Sequence, residues 1–378
     1  MTRWNPNLFR REGQSKGYDP AYLGALVVQG EKIVANRVPV IFSLAHLANL
    51  SRTLYSDLHG FVSRSDIFSK DFPYKNFSIA KRTGGKRWIS VPIPPLMAVQ
   101  QWIAQNILNN AEPHTAAFAY VPKRRLLDHA QRHCGATWLV KVDVKDFFSN
   151  ISERQVFQVF LKLGYPKLLS FEMARLCTRV TPKRQGAKWV NTFGEHSIPD
   201  YDCNFVGSLP QGAPTSPALS NLVCIDLDMD LSDLAVSKSS TYSRYADDLC
   251  FSLTTGSRED AFALKRDVSK ILWKHGFSEN SKKTRVVPPG ARMVLTGLNV
   301  NAEVPTVPKE VRDLVRMHLH YSKKNGIPAH CKERGFRSVV GFKNHLLGLI
   351  GYIASVDQRH GAAFYAKFNE LPWIEFDL

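Results

Sequence analysis

Apolar positions along the chain recur with two spacings, about 3.6 and 2 residues, and the switches between them lay out its elements. Residues 1 to about 37 are mixed and polar and read as an N-terminal extension. From Val38 to Leu58, Ile41, Leu44, Leu47 and Leu50 fall at helical spacing. Residues 76 to 92 look extended, with Gly84-Gly85 turning one short strand into the next. Leu96 to Leu108 returns to a helical pattern.

Trp138-Leu139-Val140-Lys141-Val142-Asp143 is a short apolar strand ending in an acid. Ser152 then opens a helix with Gln155 as its capping-box partner. Val156, Val159, Phe160 and Leu163 form its stripe, and Gly164 stops it. Ser216-Pro217 starts another helix, with proline in the first turn. Thr241 to Leu253 reads as a β-hairpin turning at Ala246-Asp247-Asp248. Ser257 caps a helix whose Leu264, Val268, Ile271 and Leu272 share a face, ended by Gly276. Strands alternating with helices predict a mixed α/β core, and beyond residue 308 the pattern turns helical and basic.

Composition narrows the class. With 378 residues, 44% hydrophobic and 22% charged, the chain is a globular protein of about two or three domains. The longest apolar run, around His345 to Val356, is too short for a membrane span, and the N-terminus lacks the apolar stretch of a secretory signal. Cysteines at 134, 177, 203, 224, 250 and 331 form no C-x2-C pair, which disfavours zinc and fits reduced thiols; a cytoplasmic protein without a membrane partner is expected. Fifty Lys and Arg against 33 Asp and Glu leave a net charge of +17. That surplus draws polyanions, nucleic acid above all, or is a solvated basic surface.

The chemistry starts at Tyr245-Ala246-Asp247-Asp248. Adjacent carboxylates at a hairpin tip repel unless a cation neutralises them, and hard divalent ions such as Mg2+ take carboxylate oxygens. Aspartate also favours turns for its own sake. A chain with 12 Tyr and 20 Asp would hold a Tyr-x-Asp-Asp string about 0.03 times by chance, so the string needs a partner. Asp143, at the end of a buried strand, is that partner. If the strand lies beside the hairpin, three carboxylates converge as a two-metal phosphoryl-transfer site requires. The competing reading is a cluster buried among Lys and Arg.

Asp143 through Phe148, Leu209 through Pro217 and Arg244 through Asp248 resemble three consecutive signatures of reverse transcriptases, and more narrowly those of bacterial retron-type enzymes. Asn280-Ser281-Lys282-Lys283-Thr284 is similar to the next palm motif, and Lys81 through Pro92 to the fingers motif that holds the incoming nucleotide. Two retron marks are altered. His129-Ala130-Gln131-Arg132-His133 stands for Asn-Ala-x-x-His, and Leu295-Thr296-Gly297 for Val-Thr-Gly.

The resemblance implies a right-hand α/β (α+β) polymerase fold with a mixed or antiparallel palm sheet. Residues 1–37 would be the extension, 38–137 the fingers with a retron-specific region, 138–300 the palm and 301–378 a basic helical thumb. A palm insertion would run from about 178 to 206, a variable loop or an RNA contact. Asp143, Asp247 and Asp248, with the carbonyl of Val144, would bind two Mg2+ ions, or Mn2+ in their place. Lys81 and Arg87 would contact the triphosphate, and Gln211 the nucleotide and template. Lys283, with Lys282 as rival, would protonate the departing pyrophosphate. Phe148 would sit under the sugar and reject a 2′-hydroxyl, which disfavours an RNA polymerase. His133, Thr296 and Gly297, together with Arg312, Arg316, Lys323, Lys324, Arg334 and Arg337 in the thumb, would bind RNA.

The implied activity is RNA-directed DNA synthesis from deoxynucleotides on a cognate structured non-coding RNA, both template and primer. It would start at a guanosine 2′-hydroxyl, hold an RNA–DNA hybrid and serve anti-phage defence with a separate effector protein. Another stand-alone bacterial reverse transcriptase without the branched product, or an inactive RNA-binding scaffold, are the alternatives. The 81 residues after Gly297 leave room for a thumb but no maturase or endonuclease domain, which disfavours a group II intron protein.

Overall fold

The computed structural model describes residues 4–64, 73–80, 84–180 and 206–373. Asn5 and Asp19 each accept a hydrogen bond from a backbone N–H in the first turn of a helix, and proline follows both. The helices are α1 (Pro6–Ser15) and α2 (Pro20–Ala35). The expected polar extension therefore holds two capped helices. Leu23, Val27 and Ile33 of α2 are buried, and Gln29 and Asn36 donate to the carbonyls of Gly164 and Leu163. Tyr22 and Val28 on the outer face blur the period that would have revealed α2.

The helix expected from Val38 to Leu58 is two helices, α3 (Leu44–Ser51) and α4 (Tyr55–Ser63). Ser43 caps α3 through His46 N, so it starts there, and Arg52 ends it with a left-handed φ of +55°. Next come β1 (Tyr74–Ala80) and β2 (Lys86–Pro92), an antiparallel hairpin, then α5 (Pro94–Asn106) and α6 (Leu126–Gln131).

The expected strand is β3 (Trp138–Asp143), followed by α7 (Phe147–Asn150), α8 (Glu153–Lys162) and α9 (Lys167–Cys177). The predicted capping box forms at α8: Ser152 and Gln155 exchange hydrogen bonds. After residue 205 come α10 (Ser216–Val223), α11 (Ile225–Ser237), β4 (Ser240–Tyr245), β5 (Asp248–Leu253) and α12 (Arg258–Lys274). Short strands β6 (Arg285–Val287), β7 (Val294–Leu295) and β8 (Leu298–Asn299) lead into α13 (Lys309–Asn325), α14 (Ile327–Glu333), α15 (Val339–Val356) and α16 (Gln358–Asn369).

One sheet positions the chemistry. Its strand order is β4-β5-β3-β6, antiparallel throughout. Because side chains alternate along a strand, β3 and β5 divide their residues between two cores. Val140, Val142, Leu249, Phe251 and Leu253 join the larger core with α3–α5, α8, α9 and α12. Leu139 and Cys250 point the other way, into a second core built with β7, β8 and α13–α16. Burial on both faces makes β3 and β5 read as nearly continuous apolar runs.

Helix α15 corrects one expectation. It spans 18 residues, long and apolar enough by length and composition to cross a membrane. Phe342, Leu346, Ile350 and Ile353, at spacings of four, four and three, bury one stripe in the second core. Among the described residues Cys134, Cys177, Cys224, Cys250 and Cys331 are free thiols.

Candidate active site

Asp143 ends β3 and Asp248 begins β5, and the two are direct partners in the antiparallel register. Their shared face also carries Lys141 and Cys250, one pair further along. Asp247 lies in the β4–β5 turn, beside Ala246 with a left-handed φ of +56°. Val144 N donates to the Asp247 carbonyl at 2.8 Å, which ties the turn to the end of β3. The chain beyond β3 is braced on its other side: Asn280 N donates to Asp143 O at 2.7 Å and Lys145 N to Ser278 O at 2.9 Å. Asp143 thus shares one end of the sheet with Asp247 and Asp248, which lie more than 100 residues further along the sequence.

Burial raises the carboxyl pKa of Asp247, with the Asp143 charge adding to the shift. Asp248 is raised for the same reason, burial first and then the charge of Asp247. Lys283 Nζ forms an ion pair with Asp143 Oδ2 at 2.8 Å, and this hydrogen bond raises the lysine's pKa. Lys282, its rival, is exposed. Among the described residues no group of three His, Cys, Asp or Glu side chains is gathered closely enough to ligate one ion as it stands. The donor chemistry nevertheless fits a hard divalent cation. Two half-buried carboxyls disfavour their own charge, a third is buried, and among the described residues the cation in an ion pair with them is Lys283.

The β1–β2 hairpin, a sheet of its own, is tied to a neighbouring loop and brings one charge within reach of Asp247. Ser90 N donates to Gln211 O at 2.8 Å, joining β2 to the Pro210-Gln211-Gly212 loop. Gly212 has φ +115°, and a Cβ there would lie 2.8 Å from Ile89 Cγ2 and 3.1 Å from Ser90 O. Only glycine meets both demands. Arg87, opposite Ile79 in the hairpin, is exposed and within electrostatic reach of Asp247. Lys81 lies outside the described residues, as do residues 181–205 of the expected insertion. The insertion's roots are joined, since Arg179 and Ser208 exchange backbone hydrogen bonds at 2.9 Å.

Phe147 is buried and Phe148 half-buried, their rings 5.5 Å apart and edge to face. Phe147 belongs to the larger core, and Phe148 packs against it from its margin. Thr296 and Gly297 form the two-residue turn between β7 and β8 with φ of +47° and +90°, and Tyr352 OH donates to Gly297 O at 3.0 Å. In the helical part, Arg312, Arg316 and Lys323 share a face of α13. Arg316 pairs with Asp313 at 2.7 Å and Lys323 with Glu370 at 3.0 Å. Lys324, Arg334 and Arg337 are exposed.

His133 corrects the expectation of an RNA contact. Its side chain is fully buried under the sheet, one ring nitrogen 2.8 Å from Ser252 Oγ and the other 2.6 Å from Ser243 Oγ. Both nitrogens are engaged in joining β4 to β5, and no edge is left for RNA. Burial, then neighbouring His129 and Arg132, lowers its pKa to about 3. His129 is likewise buried, packed against Phe118, His133 and Tyr245.

Sequence reading missed a buried network beneath the turn. Arg244, on β4, is fully buried and forks onto Asp228 of α11, Nε to Oδ1 at 2.8 Å and Nη2 to Oδ2 at 2.6 Å. Its Nη1 reaches Asn221 Oδ1 at 3.0 Å and Ala246 O at 3.3 Å. Arg244 adjoins the Tyr-Ala-Asp-Asp string, which is the one signal available; nothing in the spacing of Asp228 or Asn221 marks them.

Residues 79–306 match the family described as "Reverse transcriptase (RNA-dependent DNA polymerase)". Retron Mx162 reverse transcriptase of Myxococcus xanthus is 32% identical over 354 residues, covering 90% of this chain and 69% of that one. Retron Ec86 reverse transcriptase of Escherichia coli is 28% identical over 331 residues, covering 86% and 92%. The solved telomerase of Candida albicans is similar over 79% of this chain and 56% of its own, with a TM-score of 0.43 and 14% identity. The ordered motifs around the paired aspartates and the extent of these sequence matches lead to one conclusion: the chain belongs to the retron-type reverse transcriptases.

Proposed function

We propose that this protein copies a cognate structured non-coding RNA into single-stranded DNA that stays joined to the RNA, primed from a guanosine 2′-hydroxyl, in an anti-phage system with a separate effector protein. The observation that carries the polymerase reading is the register that sets Asp143 beside Asp248, with Asp247 in the adjoining turn. In this reading residues 38–137 act as fingers, 138–300 as palm and 301–378 as thumb, with 1–37 as an N-terminal extension.

Asp143, Asp247 and Asp248, with the Val144 carbonyl, would hold two Mg2+ ions. Bound there, the ions supply positive charge for the triphosphate and make the attacking hydroxyl a better nucleophile. The remaining work falls to the chain's own side chains. Arg87 of the hairpin holds phosphate oxygens, a role that Lys81 shares. Gln211, fixed by Ser90, lies against the nucleotide and template. Lys283, paired with Asp143 in this structure, would turn to the leaving pyrophosphate and give it a proton. Phe148 excludes a 2′-hydroxyl.

The exposed ion pairs of Arg316 and Lys323 contribute little, so phosphates can displace their carboxylates. These residues, with Arg312, Lys324, Arg334 and Arg337, would grip an RNA stem through its backbone. Thr296 and Gly297, at the turn anchored by Tyr352, would meet the same RNA.

The test is incorporation of labelled deoxynucleotides with Mg2+, and with EDTA, by the protein and by Asp143→Asn, Asp247→Asn and Asp248→Asn. Each variant should lose synthesis by at least about a thousandfold. Asp247→Asn and Asp248→Asn should melt no lower than the parent, because a neutral side chain removes a charge that burial opposes. Near-parental synthesis by any of the three would refute the assignment. Sequencing the co-purified nucleic acid and treating it with a debranching enzyme tests the template and the 2′ linkage.

A further inference from the structure

Tyr120 belongs to no motif, yet the fold holds it with unusual care. Its φ is +62°, a conformation bulky side chains seldom adopt, and the residue remains 48% exposed. A surface loop residue would relax from that conformation unless its neighbours prevented it.

They do so on both sides. Arg244 N donates to Ala116 O and Phe118 N to Arg244 O, each at 2.8 Å, so residues 116–118 run alongside β4. Asn221 Nδ2 then holds the Ala119 carbonyl at 2.7 Å. The guanidinium of Arg244 grips Asn221 Oδ1 and the Ala246 carbonyl together. One buried side chain therefore fixes the peptide before Asp247 and, through Asn221, the peptide before Tyr120.

The Tyr120 ring lies 6.4 Å from the Phe148 ring at an interplanar angle of 48°. Its phenol is within electrostatic reach of both Asp247 and Arg87. A half-exposed aromatic ring within reach of a carboxylate of the turn and an arginine of the hairpin contributes little to core packing. It does offer a flat apolar wall where a phosphorylated sugar would lie.

We propose that Tyr120 and Phe148 form a two-ring wall for the sugar of the incoming deoxynucleotide, with Tyr120 a specificity-determining residue positioned by Arg244 and Asn221. This rests on the reading of Asp143, Asp247 and Asp248 as the site of nucleotide addition. The ring, rather than the hydroxyl, does the recognising: Tyr120 packs on the sugar and holds it against Phe148, so that a 2′-hydroxyl has no room to move aside.

The experiment is steady-state incorporation of dGTP and of GTP by the full chain on a primed RNA template, for the parent and for Tyr120→Ala, Tyr120→Phe and Phe148→Ala. Tyr120→Ala should raise KM for dGTP about three- to tenfold with kcat little changed, and lower the dGTP-to-GTP preference by a similar factor. Tyr120→Phe should stay within about twofold of the parent on both measures. An unchanged KM and preference in Tyr120→Ala, or a loss confined to kcat, would overturn the proposal. So would loss of folding in Tyr120→Ala, since that assigns the ring to packing. If Phe148→Ala relaxes sugar preference while Tyr120→Ala does not, the polymerase reading stands and this inference alone fails. If the parent incorporates neither nucleotide, the polymerase reading itself fails.

Discussion

Replacing Arg244 by methionine tests the network beneath the turn. Arg244 and Asp228 side chains are both 0% exposed, with N–O distances of 2.8 and 2.6 Å. Burial opposes the guanidinium charge and the Asp228 carboxylate more than offsets it, so Arg244 stays protonated at any pH the fold survives. Arg244→Met preserves the volume but strands Asp228 with the Tyr242 hydroxyl, 2.8 Å away, as its remaining side-chain donor. An uncompensated buried carboxylate of this kind costs about 3–5 kcal/mol.

Arg244→Met with Asp228→Asn removes the stranded charge and still accepts from Tyr242. It should recover to within about 1–2 kcal/mol of the parent. Urea unfolding followed by tryptophan fluorescence reads both values. The two variants should differ from each other in stability yet share a loss of DNA synthesis of about tenfold or more, because in both the Ala246 and Asn221 contacts are gone. A single variant within about 1 kcal/mol of the parent, or a double variant no more stable than the single, would refute the buried-charge argument. Parental synthesis by the double variant would show that Arg244 does not position the turn.

Gly212→Ala should destabilise by about 1–3 kcal/mol and weaken nucleotide binding, because φ +115° strains an L residue and the new Cβ meets Ile89 and the Ser90 carbonyl; unfolding and KM measurements check it, and a neutral substitution would sink the close-approach account. Phe148→Ala should lower the preference for deoxynucleotides at least about tenfold, read as relative kcat/KM for dGTP and GTP; an unchanged preference places sugar recognition elsewhere. His133 is neutral when folded, with a pKa of about 3, while the unfolded chain protonates near 6.5. Stability should therefore be complete above about pH 6.5 and fall as the pH drops below it, by about 2 kcal/mol per such histidine at pH 5. His133→Gln, followed by urea midpoints from pH 7.5 to 5, should flatten that slope, and an unchanged slope would assign it to other groups.

Elements whose chemistry is local were legible in the chain. The apolar run ending at Asp143, the capping box at Ser152 and Gln155, and the tight turn before Asp248 all formed where their residue types demand. The Asp247-Asp248 pair carried its own signature too, because adjacent carboxylates repel unless a cation offsets them. Helix α2 was obscured by apolar residues on both faces, and the break at Arg52 left no glycine or proline to mark it.

What the sequence determined by itself is the set of chemical groups, the strands and helices that present them, and the family to which their order belongs. The tertiary structure alone decided who meets whom. It sent His133 beneath the sheet instead of to the surface, chose Lys283 over Lys282 as the partner of Asp143, and brought Tyr120 beside Phe148. These are contacts between residues far apart in the chain. Each depends on strand register and on which of two cores a side chain faces, and no local pattern encodes either.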